Sequence, residues 1–277
     1  MAVLWQNEIR SASTLKGNIF TVPWKVCRDA AKGTDISPRE AELWACENGI
    51  CPSRYERSIG TIGLEGQARL LSSHVAVIGC GGLGGWIVEI LARAGVGKLA
   101  VVDGDMFGDN NLNRQALCTE ENIGLSKAVA AGERALALNG AVEVDVWDQF
   151  MTGDNANAIL EGCDVVMDAL DSNRARSVLV SACRELDIPL IHGAIGGFWG
   201  QSCVIMPDDR APWEMTGGSD KGIEETTGNP PFTPVFIASI QAAEAIRLIT
   251  GIGEPLRDLL WCDLKEHEYL KVKISVS

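Results

Sequence analysis

The stretch HVAVIGCGGLGGWIVEILARAGVGKLAVVDGD, residues 74–105, decides the fold. His74 to Gly79 is a short apolar run with β-branched residues, which reads as a buried strand. A glycine cluster follows, then an apolar helix from about Leu83 to Ala94, ended by Gly95 and Gly97. Lys98 to Val102 is the next strand, so the stretch is a βαβ unit. Gly79-Cys80-Gly81-Gly82-Leu83-Gly84 fits Gly-x-Gly-x-x-Gly at the point where a strand hands over to a helix. There a backbone without side chains lets phosphates approach, and the helix N-terminus favours negative charge. The alternative reading is a purely structural glycine turn. Asp103 ends the second strand, 24 positions after Gly79. An acid there accepts hydrogen bonds from a ribose diol, or braces its own loop.

Outward from this unit, strand and helix keep alternating. A helix is expected over Ser126–Asn139, a strand over Val142–Val146, a helix near Asn155–Glu161 and a strand over Asp164–Met167. A helix over Asn173–Glu185, a strand over Pro189–His192 and another over Gln201–Met206 come next. Residues 207–232 read as a long polar loop. A last helix from about Pro234 to Thr250 and two strands, 258–263 and 268–274, close the chain. The pattern predicts an α/β fold with a doubly wound, mostly parallel sheet of Rossmann type, an antiparallel C-terminal part and a helical N-terminal extension. Upstream, Ser37-Pro38-Arg39-Glu40 opens a helix that stops near Asn48-Gly49, with Ser as N-cap, Pro at the first position and Glu reaching back. A second helix is expected around Leu64–Leu71. Residues 1–36 show no clear period.

The chain has 277 residues, 46% of them hydrophobic, enough for one large domain with an extension. Its formal net charge of −13 supplies no field for nucleic acid or an anionic membrane. Any phosphate site is therefore local. Nine cysteines, none at Cys-x-x-Cys spacing, read as reduced thiols of a cytoplasmic protein and argue against a structural zinc. The N-terminus does not resemble a signal peptide, and no stretch reads as a membrane span.

A nicotinamide-dependent dehydrogenase fits the glycine turn as well as an ATP enzyme does. The segment from Asp103 and Asp105 through Asn111, Asn113, Arg114 and Gln115 separates them. It packs amides and an arginine just beyond the strand, where a triphosphate needs donors for developing charge. Lys127 falls in the first turn of a helix, where a cation opposes the macrodipole. An anion shared by the lysine and the helix N-terminus explains that placement; the alternative is an exposed lysine that bends away into solvent. Asp171, at the end of the fourth strand, can hold Mg²⁺, while Asp171 or Ser172 can cap the next helix. Asp168 is a weaker candidate.

These blocks resemble, in order, the ThiF/MoeB/HesA family of ubiquitin-activating-like adenylyltransferases. The resemblance runs over roughly residues 52–272 and includes Arg54-Tyr55-Glu56-Arg57, Gly79–Gly85, Ala94–Gly97, Asp103-Gly104-Asp105, Asn111–Gln115, Lys127, Asp168–Asn173, Gly193 with Gln201, Thr233-Pro234 and Ser239–Ala242. It implies an N-terminal extension over 1–51 and an adenylation domain over 52–277. It also implies ATP over Gly79, Gly81, Gly82, Leu83 and Gly84, with Asp103 on the ribose. Arg114 and Lys127 would neutralise phosphates, and Asp171 would place Mg²⁺. Arg57 would reach the other subunit's site in a homodimer. The implied partner is a small β-grasp, ubiquitin-like sulfur carrier of MoaD or ThiS type ending in Gly-Gly, in molybdenum or tungsten pterin or thiamine-type cofactor biosynthesis. The two Cys-x-x-Cys pairs that MoeB-like members usually carry for zinc are missing, and 207–232 holds no cysteine. Adenylation alone is therefore expected, with Cys203 a core thiol. The alternatives are adenylation and cyclisation of tRNA threonylcarbamoyl-adenosine, a NAD-dependent oxidoreductase, and a scaffold that binds a β-grasp partner without turnover.

Overall fold

A computed structural model describes residues 4–216 and 224–274. The chain opens with α1 (Leu4–Ala12), β1 (Thr14–Lys16), β2 (Ile19–Val22), α2 (Trp24–Ala31), α3 (Pro38–Glu47) and β3 (Ile50–Pro52). These elements carry their own apolar core, which includes Ile9, Val22, Cys27, Ala41 and Ile50. The sequence showed no period here because α1 has nine residues and buries only Ile9, too few to repeat a stripe. α3 begins as expected: the Ser37 side chain accepts from Glu40 N, and the Glu40 carboxylate accepts from Ser37 N. β1, β2 and β3 form a small sheet, and β3 crosses the 51/52 position taken as the end of the extension.

Next come α4 (Ile59–Ser72), β4 (His74–Ile78), α5 (Gly82–Ala94), β5 (Lys98–Val102), α6 (Lys127–Leu138), β6 (Glu143–Trp147), α7 (Ala156–Leu160), β7 (Val165–Asp168) and α8 (Asn173–Glu185). β8 (Leu190–Gly196) and β9 (Trp199–Ile205) form a hairpin. β8 outruns the expected end at His192 because its pairing with β9 continues to Gly196↔Trp199. The expected loop over 207–232 contains two short helices, α9 (Pro212–Thr216) and α10 (Glu224–Thr227). Its middle, 217–223, lies outside the described residues. α11 (Phe232–Thr250), β10 (Leu259–Asp263) and β11 (Glu268–Val272) complete the fold.

The large sheet runs β11-β10-β9-β8-β7-β4-β5-β6. The five strands from β8 to β6 are parallel, and β9, β10 and β11 join antiparallel. Val75 and Val77 face a core shared with α5 and α11, while Ala76 and Ile78 face one shared with α7 and α8. This is the both-faces burial that a period-two strand produces between two helix layers. α11, long and apolar enough to cross a bilayer, packs against α5, β8 and β9. From β4 the chain winds out through β5 to β6, then returns to place β7 on β4's other side. The order reverses between β4 and β7, and in open α/β sheets a ligand crevice forms at such a point, beyond the strands' C-terminal ends.

Candidate active site

At that reversal Ile78 and Asp168 are paired, so the turn after β4 meets the turn after β7. Gly79 takes a φ of 98°, and a Cβ there would lie 2.6 Å from the Ala169 carbonyl oxygen. A Cβ on Gly84 would lie 1.7 Å from the Gly79 carbonyl oxygen. Both contacts are impossible for a side chain, so glycine is required for the turn to close over the start of α5. The result is an N-terminus with no side chain in front of it, opening on a cleft of about 900 Å³.

Gly79, Gly81, Gly82, Leu83, Asp103, Asp105, Arg114, Gln115, Lys127 and Asp171, separated widely in sequence, all line this cleft. Asp103 braces the turn: its carboxylate accepts from Cys80 N at 2.7 Å and from Asp105 N at 2.8 Å. Burial raises its pKa above the usual carboxylate value, against the pull of those two N–H groups and of Lys127. Each oxygen keeps a lone pair, so the loop-bracing and ribose-accepting readings are compatible.

Lys127 is the first residue of α6, behind the N-cap Ser126, and it does not bend into solvent. It is 8% exposed, and its ammonium lies 3.1 Å from the Asp105 carboxylate. Arg114 is tied back by its own loop, donating to the Asn110 carbonyl and the Asn113 side chain. Asn111 is buried and caps that loop, accepting from Gly108 N, while Asn113 donates to the Asn229 carbonyl. These two amides, with Gly84, hold the site's walls without lining it. Gln115 does line it, and its buried Oε1 has no hydrogen-bond partner among the described residues. A buried orphan acceptor facing a cleft is a position where a ligand donor fits.

Ser172 is the N-cap of α8, accepting from Ala175 N at 3.3 Å, which leaves the exposed Asp171 carboxylate free of capping. A single exposed carboxylate at the edge of the cleft would suit Mg²⁺, which proteins hold by one or two acids together with a substrate's phosphate oxygens. Arg57 lies outside the cleft, exposed, on the turn before α4.

Asp168, the weaker candidate, does not line the cleft. It is fully buried and meets Arg176 Nε at 3.2 Å, His192 Nδ1 at 2.7 Å and Leu170 N at 3.0 Å. Burial opposes its ionisation, but Arg176, His192 and the Leu170 N–H together hold its pKa below the usual value. Burial lowers the pKa of His192 and keeps the ring neutral. Gln241 of α11 donates to the Asp168 carbonyl at 2.8 Å and the Ile191 carbonyl at 3.1 Å. A Cβ on Gly193 would meet Gln241 at 2.3 Å, so that glycine makes room for the amide. This network sits under the Ala169–Asp171 turn and fixes its height. Its members come from four elements; Asp168, Gly193 and Gln241 left a sequence trace, and Arg176 and His192 left none. Cys203 is buried, and its thiol is pushed up to about 12 by burial, which keeps it a neutral core group.

The ThiF family model matches residues 55–276 of the chain. A SAMP-activating enzyme E1 of Haloferax volcanii is 39% identical over 210 residues, covering 73% of this chain and 77% of that protein. The sulfur carrier protein adenylyltransferase of Thermus thermophilus is 34% identical over 240 residues, 80% of this chain and 86% of that one. The sulfur carrier protein ThiS adenylyltransferase of Escherichia coli is 34% identical over 223 residues, 78% and 88% of the two chains. Among solved structures, E. coli MccB with ATP aligns at a TM-score of 0.68 and 20% identity, covering 91% of this chain and 83% of that one. At that identity the likeness is one of fold.

Proposed function

This chain belongs to the ThiF family, and on that premise we propose that it adenylates the C-terminal carboxylate of a small β-grasp sulfur carrier ending in Gly-Gly, of SAMP, ThiS or MoaD type. The carrying observation is the convergence of a side-chain-free helix N-terminus, two cations and an exposed carboxylate on one cleft. ATP would lie with its ribose toward Asp103 and its phosphates across Gly81–Leu83. Lys127 would leave Asp105, and Arg114 its loop carbonyl, to meet the phosphate oxygens. Mg²⁺, held by Asp171, would offset charge on the β- and γ-phosphates.

The carrier's carboxylate oxygen bonds to the α-phosphorus as the bond from that phosphorus to the bridging oxygen breaks. An acyl-adenylate and pyrophosphate result, with no net proton transfer. Catalysis is then positioning and charge stabilisation. No residue of this chain is asked to take the acyl group. Arg57, exposed and outside the lining of its own cleft, would complete the partner subunit's site in a homodimer.

Carrier-dependent exchange of labelled pyrophosphate into ATP tests this. Exchange is expected with a Gly-Gly-ended carrier and is expected to vanish when the two glycines are removed. Exchange that ignores the carrier's terminus, or ATP turnover without any carrier, would overturn the assignment.

A further inference from the structure

Four consecutive residues ahead of Arg57 are each gripped by the N-terminal unit. Ser53 Oγ accepts from Trp24 N at 3.3 Å. The Arg54 guanidinium lies 4.9 Å from the centre of the Trp24 ring and 3.2 Å from the Glu42 carboxylate. Tyr55, fully buried, donates its hydroxyl to Glu42 at 2.8 Å. Glu56 accepts from Lys16 of β1 at 3.0 Å. The next residue, Arg57, is exposed and makes no ion pair or hydrogen bond among the described residues.

The grip continues into the nucleotide domain. Asn139, which follows α6, donates to the Tyr55 hydroxyl and to the Ala92 carbonyl near the end of α5, both at 3.0 Å. Arg54 donates to the same Asn139 side chain. Gly95 is glycine because a Cβ there would lie 2.5 Å from the Tyr55 ring. A buried carboxylate such as Glu42 is costly to keep unless its partners are placed well. Here it holds a cation and a hydroxyl from neighbouring positions, which fixes the backbone of the turn. Ser58 N then donates to the Tyr55 carbonyl at 2.8 Å, so Arg57 lies inside a hydrogen-bonded turn.

We propose that the N-terminal unit is a positioning device for Arg57: Glu42 and Trp24 grip Ser53, Arg54 and Tyr55 so that the following arginine projects at a fixed angle from the protomer. The proposal rests on the reading above in which Arg57 serves a second subunit's site. It assigns the N-terminal unit a part in the reaction. Glu42 and Trp24 act through the turn and touch no substrate.

The test is a double-mutant cycle read by carrier-dependent pyrophosphate exchange. Glu42→Gln and Trp24→Leu are each made in the native and the Arg57→Ala backgrounds. Each is expected to lower exchange about fivefold or more in the native background and to add nothing once Arg57 is gone. A loss of the same size in both backgrounds, or none in either, would overturn the proposal. If Arg57→Ala exchanges like the native enzyme, the catalytic reading of Arg57 falls and takes this proposal with it. An enzyme with no exchange at all would fault the adenylation reading instead. Amide hydrogen exchange then decides: Glu42→Gln should speed exchange at residues 56–62 and leave 76–91 unchanged. Unchanged protection at 56–62 would show that the grip holds nothing.

Discussion

The Lys127 ammonium rests 3.1 Å from the Asp105 carboxylate, at the mouth of a helix whose dipole would otherwise repel it. Asp105 is more than half exposed and Lys127 is not, so the pair sits where water weakens the attraction on one side only. A more highly charged anion in the cleft can therefore draw the lysine away. Lys127→Ala and Arg114→Ala are each expected to lower pyrophosphate exchange about 10²-fold, as loss of a charge-stabilising donor does. Asp105→Asn should change it by about fivefold at most, because the amide keeps the loop and only releases the lysine. Denaturation midpoints of all three variants should stay close to native. Native-like exchange in Lys127→Ala would remove that residue from the chemistry.

Asp168 and His192 set an acid limit on stability. His192 is neutral in the fold with its pKa lowered by burial, so below about pH 6.5 the unfolded chain binds a proton that the fold does not. Stability is therefore lost as pH falls through that range, by up to about 1.4 kcal/mol per pH unit for this group. Asp168 has a lowered folded pKa, so its contribution is present above about pH 3.9 and is lost as pH falls through the folded value. Thermal melts between pH 7.5 and 5 should show the midpoint dropping, with a shallower slope in His192→Gln. A slope unaltered by that substitution would mean that His192 titrates alike folded and unfolded.

Asp168→Asn leaves the Arg176 cation buried without its counter-charge. Breaking one side of such a pair costs about 3–5 kcal/mol. Chemical denaturation should register that loss. Replacing the exposed Asp171 by Asn should leave the unfolding curve in place and raise the magnesium concentration needed for exchange. Equal magnesium dependence in Asp171→Asn and native enzyme would take Asp171 out of the metal's coordination.

Gly84→Ala places a methyl group 1.7 Å from the Gly79 carbonyl oxygen, so the turn must open. ATP binding, measured calorimetrically, is expected to fall below detection. Gly153→Ala, where a Cβ meets nothing within 4 Å, is the control and should bind ATP normally.

Subunit mixing separates Arg57 from Lys127. Co-purified heterodimers of Arg57→Ala and Lys127→Ala chains should regain part of the native exchange, because one site per dimer then has both residues. Absence of rescue in verified heterodimers would place Arg57 outside the partner's site.

How much of this was legible beforehand depended on the range of the interaction involved. β4, α5 and β5 read correctly from the sequence within a residue or so, because apolar period, glycine punctuation and helix ends are local. The Ser37–Glu40 cap was readable for the same reason. Lys127 stood out because it breaks a local electrostatic rule, and its partner turned out to be Asp105. By contrast, α1 and α2 left no period. The Arg54–Arg57 block matched the family as a unit, yet its first two residues face inward to Glu42 and Asn139.

What the linear order of residues determined by itself was the alternation of strands and helices, the glycine turn and the Ser37–Glu40 helix cap. Each is settled within a few residues, by backbone sterics or helix ends. Only the tertiary structure decided which strands became neighbours, and so that the ends of β4 and β7 would meet and bring Asp171 and Gly81 to one cleft. It also decided that Asp168 would be sealed among Arg176, His192 and Gln241. Burial and pairing between residues tens of positions apart arise from packing, and no spacing along the chain encodes them.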